Sequence, residues 1–401
     1  MSEEHQLLED CNKARRYFTF AVLLFAVFSA CSPRLKWLTH AYFVFIALPG
    51  LLWFFKGREN ISPRLNEEWV LILFLGWIAV QNSFLAAVDD LRYIRYAFYV
   101  IVFVIVVARF TSPDVFRSET FARKGFCVLL AFSLFSFAVD YSNGVWYFGG
   151  RIRFLQPGTS PYFHAYLLNL LFSLLLARQI LSGRWVEFLC MLGVLLFIDA
   201  FCFASRSALL GVTIILFGNL IFMIRHHPKN AIRYASILAF LAVLTIVLFR
   251  ESTLFHALIE RGDSQRFEIW YEHLKNFWQY NGLHFGLGQT YTRSLLPSDN
   301  GLMRPHNLFL SILVYHGVWA LLLFLMLCML ILRRAWRNHD PWGCALLAGL
   351  GEAAFMSENI VGYPNAIWFT ILLPMALILN INSPSEPLLQ KEASRKSGQQ
   401  T

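Results

Sequence analysis

The stretch Ser207–Ile224 reads SALLGVTIILFGNLIFMI and carries no charged side chain. Arg206 precedes it and Arg225 follows it, so the apolar run stops at a cation on each side. As an α-helix it is long enough to cross most of the ~30 Å hydrocarbon core of a bilayer. A membrane-spanning helix is therefore the expected structure, because lipid leaves every backbone polar group to be satisfied within its own segment.

The same pattern extends in both directions. Apolar segments at 17–32, 37–55, 69–88, 93–109, 124–141, 161–181, 186–204, 233–249, 305–332, 341–361 and 365–381 predict further spans. The composition agrees: 57% of the 401 residues are hydrophobic and 15% are charged. A soluble domain carries roughly a quarter charged residues. The expected fold class is all-α, a polytopic integral membrane protein of about 12 transmembrane helices. Its predicted organisation is an N-terminal segment 1–16, nine spans within 17–249, a large loop 250–304, three spans within 305–381 and a polar tail 382–401. No small-residue cleavage site follows the first apolar run, so that run is expected to be retained rather than removed as a signal.

Orientation follows from the loop cations. With the N-terminus inside and the connections taken alternately, 21 of the 34 Lys and Arg residues fall on the inner side. Six of the outer ones lie in the long loop, where charge weighs little, leaving seven in short outer segments. Both termini are expected in the cytoplasm of a bacterial inner membrane, with loop 250–304 periplasmic. The net charge of +9 then reflects topology, and no nucleic-acid partner is implied. The seven cysteines are dispersed, with none in the long loop and no Cys/His cluster of zinc spacing.

Four outward segments run against the positive-inside trend. They contain Arg151 and Arg153; the tight turn Ala204-Ser205-Arg206-Ser207; Arg261 to Arg266; and Arg304-Pro305-His306-Asn307. Snorkelling to lipid phosphates accounts for an arginine such as Arg34. Arg206, pressed between two apolar runs, has almost no loop in which to reach water. A charge at that depth faces a cavity or a partner, and a guanidinium fork suits phosphate oxygens. After Arg266, the residues Phe267, Trp270, Tyr271, Leu274, Phe277 and Trp278 fall on one helical face. This predicts an amphipathic helix at the outer membrane interface, capped by Asp263 or Ser264, with Arg266 in its first turn. An ordinary solvated arginine on such a helix is the competing reading.

His306 is expected in the first turn of the tenth span, after Pro305. The helix dipole and nearby arginines would depress its pKa, leaving a neutral imidazole able to act as a general base. Asn307 can hold a sugar hydroxyl or bond the backbone. Asp199, Glu352 and Glu358 lie within apolar runs. Glu358 stands near an outer end within reach of such a site, and buried acids also suit a proton path.

Together these residues resemble a known family. His306-Asn307, nine residues and then Gly317 resemble the His-(Asn/Ser/Gln)-x9-Gly signature of the O-antigen ligases. Gln265 to Trp270 with Gly286-Leu287-Gly288 resembles the large periplasmic loop of the O-antigen ligase and polymerase superfamily. Ser205-Arg206-Ser207 resembles its arginine-bearing turn. The resemblance implies transfer of a glycan from undecaprenyl diphosphate to a sugar hydroxyl of the lipid A-core, at the periplasmic face, by inverting glycosyl transfer. It implies that Arg206 and Arg266 hold the donor diphosphate and that His306 acts on the acceptor, with no metal and no ATP. Arg151, Arg153, Arg304, Asn307 and Glu358 are further candidates by position. Ala320 departs from the ligase signature, so ligase and polymerase both stay open. A protein O-oligosaccharyltransferase is a third reading. A lipid or solute transporter is a fourth, although no internal repeat or pair of broken spans is visible.

Overall fold

In a computed structural model of the chain, the described residues are 3–31, 35–55, 66–84, 91–144, 162–249, 266–288, 304–356, 359–365 and 367–380. Among them all regular structure is helical. The elements are α1 (Glu3–Cys31), α2 (Leu35–Tyr42), α3 (Leu48–Phe55), α4 (Asn66–Phe84), α5 (Leu91–Phe110), α6 (Pro113–Arg117), α7 (Glu119–Ser142) and α8 (Tyr162–Leu181). Then follow α9 (Trp185–Phe197), α10 (Arg206–His226), α11 (Pro228–Phe249), α12 (Arg266–Gln279), α13 (Leu308–Arg337), α14 (Trp342–Ala353) and α15 (Leu373–Leu379). π-helical turns at Phe43–Ala47, Ile198–Cys202 and Trp368–Leu372 join or extend the adjoining helices.

Seven helices among the described residues are long and apolar enough to cross a membrane. They are Lys36–Phe55, Arg92–Phe110, Glu119–Ser142, Phe163–Leu181, Trp185–Cys202, Arg206–His226 and Leu308–Arg337. The other expected spans are helical too, in α1, α4, α11, α14 and Trp368–Leu379, but fall outside that length-and-composition class. The segment read as one span over 341–361 differs most. Its helix covers only Trp342–Ala353, and irregular backbone follows. Irregular backbone at membrane depth is tolerated only where protein surrounds it or a cavity adjoins it. Here Met356, Ile360 and Val361 are buried, and Phe355 lies against a cavity.

The sequence-local reasons for the helix starts are polar caps. Ser118, Ser205 and Asn307 accept from the amides of Phe121, Ala208 and Leu310 and so begin α7, α10 and α13. Helix α8 is the axis of the fold: 83% of its apolar window is buried, against 22% for the peripheral α7. It packs with α10 and α14 into an inner group. Beside them, Trp368 stands edge-on to Tyr42 at 5.1 Å, while Phe369 meets Phe25 at 5.1 Å and Phe163 at 5.6 Å. Such interlocking rings supply the dispersion contacts that hold helices together when lipid offers no hydrophobic drive.

The two ends of the bundle differ chemically. At one end, Arg109 pairs with Glu68 at 3.0 Å, Arg117 with Asp340, Arg184 with Glu119, and Arg334 with Glu67 at 3.7 Å. Arg178 donates to the Arg117 carbonyl at 2.7 Å. Arg109, Arg117, Arg178, Arg184 and Arg334 are among the cations that the loop-charge reading groups on one side. The opposite end carries the starts of α8, α10 and α13.

Candidate functional site

Helix α10 begins at Arg206. Ser205 caps it through Ala208 N at 3.2 Å, and Ala204 before it adopts a left-handed φ of 45°. The turn is held from behind. Tyr166 on α8 shares a hydrogen bond with Ser207 Oγ at 2.8 Å, and Asn169 Nδ2 donates to Ala208 O at 2.9 Å. Arg206 is thus presented by a span packed into the core.

Arg266 comes from the other side, as the first residue of α12. Its guanidinium lies over the Phe355 ring, 5.3 Å from the centroid. Trp270, one turn on, donates to the Pro305 carbonyl at 2.6 Å and lies 6.2 Å from Phe355. The predicted aromatic face is split. Phe277 is buried, while Phe267, Tyr271 and Trp278 are about two-thirds exposed, at 67%, 66% and 66%. One edge therefore fastens α12 to the protein and the adjoining edge faces outward. The expected caps, Asp263 and Ser264, lie outside the described residues.

These pieces enclose a cavity of about 200 Å³ lined by Arg206, Ser207, Leu210, Arg266, Phe267, Trp270 and Phe355. Two guanidiniums share one recess, and none of the lining residues is acidic. Such a recess favours a polyanion, since each phosphate oxygen pair can engage a planar fork.

His306 stands beside the cavity rather than in its wall. The expectation that it occupies the first turn of the tenth span is corrected here: Asn307 is the cap and the helix begins at Leu308. His306 precedes the cap with a left-handed φ of 49°, a conformation compatible with a turn into a helix rather than the helix itself. Burial comes first among the causes that hold its pKa below the ordinary histidine value, followed by the charges of Arg266 and Arg304. The imidazole is thereby biased to the neutral form next to a cationic recess. Asn307 uses its Oδ1 to accept from Leu310 N at 3.0 Å, the backbone role of the two considered. Arg304 is exposed.

The structure therefore brings Arg206 and Arg266 together and sets His306 within reach of the charges of Arg266 and Arg304. Arg151, Arg153 and Glu358 lie outside the described residues. Glu352 is buried one turn from Phe355, bonded to Asn169 at 2.7 Å. Sequence reasoning missed Phe355, which rings the Arg266 charge, because it sits in what reads as an unbroken apolar run. It also passed over Gly317 as more than a motif mark. At Gly317 the helix α13 breaks, with φ 82° and ψ 177°. Into the break fits the segment after α12: Leu287 N donates to Val314 O at 2.7 Å, Gly288 N to Tyr315 O at 3.1 Å, and Val318 N to Leu283 O at 2.9 Å. Gln81 from α4 locks the joint. Its Nε2 donates to the carbonyls of Phe285 and Tyr315, so Oε1 is left to accept from His316 Nδ1 at 2.9 Å.

No protein-family model matches the chain. It is 25% identical over 360 residues to the O-antigen ligase of Pseudomonas aeruginosa, an alignment that takes in 84% of this chain and 83% of that protein. The likeness runs over most of both chains, so along most of its length this chain is similar to an O-antigen ligase.

Proposed function

We propose that the protein is an O-antigen ligase, a glycosyltransferase that moves a glycan from undecaprenyl diphosphate to a sugar hydroxyl of the lipid A-core at the periplasmic face of the inner membrane. The observation that carries this reading is the recess shared by Arg206 and Arg266, with no acid in its lining. The leaving group of such a transfer is already a diphosphate. Negative charge grows on it as the anomeric C–O bond breaks, and fixed guanidiniums stabilise that charge. The acceptor hydroxyl attacks the opposite face of the anomeric carbon, which inverts its configuration.

His306 takes the hydroxyl proton in this scheme. Burial and the neighbouring arginines favour its neutral form, the state a base requires. The diphosphate, once released, stays on the lipid. The arginines stand in the place that a divalent cation occupies in many phosphate-handling enzymes, so neither metal nor ATP enters the scheme.

The test is transfer by the purified protein from a lipid-linked glycan to isolated lipid A-core. Long-chain product from a preformed polymer supports a ligase. Growth of the lipid-linked glycan itself, with no product on the core, replaces the ligase by a polymerase. Neither product, from protein that is folded and supplied with both substrates, rejects glycosyl transfer.

A further inference from the structure

Transfer of the kind proposed needs Arg266 and His306 at a fixed separation, yet they sit on different segments. Arg266 opens α12, and His306 lies in the turn before α13. One side chain reaches both. Trp270, one turn after Arg266, lines the recess with it. Its indole lies 6.2 Å from the Phe355 ring, the same ring over which the Arg266 guanidinium sits at 5.3 Å. The indole N–H points the other way, donating from Nε1 to the Pro305 carbonyl at 2.6 Å. That carbonyl belongs to the planar peptide unit joining Pro305 to His306. Its orientation therefore sets the plane from which His306 departs.

His306 needs such a hold. Its φ of 49° is sparsely populated by residues other than glycine. Backbone of that kind persists only where the surroundings over-determine it. On the far side of His306 the chain is fixed by Asn307, whose Oδ1 accepts from Leu310 N at 3.0 Å. On the near side the Trp270 hydrogen bond fixes Pro305, which is buried. A buried carbonyl that loses its donor is costly to leave in place, so the turn would shift to find another. Helix α12 also has a second anchor. Phe277, 1% exposed, packs with Val314 and Tyr315 of α13. Without the indole N–H the helix stays docked, and what goes is the tie beside the reacting groups.

We propose that Trp270 is a positioning residue of this site: its indole N–H fixes the His306 turn against the helix that carries Arg266, and so sets the separation of base and donor cation. It acts through His306 and takes no proton itself. The kinetic part of this proposal rests on the ligase reading.

The experiment uses the full chain in lipid nanodiscs. Trp270→Phe keeps a ring beside Phe355 and removes the N–H. Benzothienylalanine installed at position 270 keeps the shape of the indole and puts sulfur where the N–H was. Initial rates with varied donor are compared for wild type, both substituted proteins, His306→Ala, and His306→Ala carrying either change. The kcat should fall about 10- to 100-fold in both, as a displacement of about 1 Å can cost, with the donor KM close to that of wild type. Added to His306→Ala, neither change should slow transfer further, because its effect passes through the missing base. Unchanged kcat in both proteins, or an effect that multiplies with His306→Ala, overturns the proposal. Should Trp270→Phe fail to insert, the sulfur isostere decides. Failure of the isostere itself to accumulate would show that the N–H serves folding, and would overturn the proposal too.

A second measurement needs no substrate. Diethyl pyrocarbonate modifies neutral imidazole, and its rate at His306 is read by peptide mass spectrometry, with the exposed His40 as reference. Release of the turn should speed modification of His306 severalfold and leave His40 unchanged. Equal rates at His306 in wild type and both substituted proteins overturn the proposal. If wild type transfers nothing, the ligase reading falls and this rate alone decides whether Trp270 holds His306.

Discussion

Gly286 and Gly317 meet backbone to backbone. A methyl group on Gly317 would lie 2.9 Å from the Gly286 amide nitrogen, and one on Gly286 would lie 2.5 Å from the His316 nitrogen. Both residues have positive φ, 68° and 82°. Gly317 with its ψ of 177° occupies a region reserved almost wholly for glycine. Gly317→Ala should therefore destabilise the protein by at least ~1–3 kcal/mol from backbone strain, before any clash with the His284 carbonyl is counted. Thermal unfolding in detergent checks it; a Tm within a degree of wild type would refute the fit described. Gln81→Leu should cost ~1–3 kcal/mol for each carbonyl or ring nitrogen it leaves unpaired.

The arginines should separate by geometry as well as charge. Arg206→Lys and Arg266→Lys keep a cation but lose the two-pronged fork. Both should slow transfer, and Arg206→Ala and Arg266→Ala should slow it further. Lys275→Ala, on the exposed side of α12, should leave it unchanged. Initial rates at equal membrane abundance decide, and full activity of Arg206→Ala would remove that residue from the scheme.

His306→Ala should insert normally, because the residue precedes the cap of α13 and contributes no helix hydrogen bond. Turnover should fall by roughly 10²–10⁴, the usual worth of a positioned base. His306→Gln keeps a hydrogen-bond acceptor and loses the base, so near wild-type turnover in that variant would reject the base role. The imidazole is active when neutral, so activity should rise with pH. Burial, Arg266 and Arg304 lower its pKa, so the midpoint should fall below the ~6.5 of a free histidine. That limb should disappear from the residual rate of His306→Ala.

Transfer should persist in excess chelator and without ATP. Activity that collapses with chelator and returns in proportion to added Mg²⁺ or Mn²⁺ would show that the guanidiniums do not suffice for the leaving group.

Reporter fusions should divide as the bundle ends do. Fusions after Arg184 and Arg337 should report cytoplasm, and one at Gly144 should report periplasm. The reverse pattern would put the arginine recess on the side away from the proposed donor.

Much of this was legible in the residues. Apolar runs such as Ser207–Ile224 announce helices because a single dominant requirement, burial of backbone amides, governs them. Arg206 was legible because an arginine pressed between two apolar runs has almost no loop in which to reach water, and Arg266 joined it through the family resemblance. What stayed hidden depends on contacts between distant segments. Nothing local stops the helix after Ala353, so Phe355 could not be placed under Arg266. The π turn at Asp199 and the break at Gly317 likewise leave no mark in the apolar pattern of their runs. That the helix starts at Leu308 and leaves His306 before it follows from Asn307 taking the cap, a choice that Pro305 obscured.

The segment Gly282–Gly288 has no helix of its own, yet it is the piece of backbone that fills the notch in α13. Ordinary surface connections accept epitope tags, protease sites and length changes. This one should refuse them, because a single added residue would shift every partner from Leu283 to Gly288 out of step with Val314, Tyr315 and Val318. For anyone building a labelled version of the protein, the apparent loop is a structural keystone, and handles belong elsewhere.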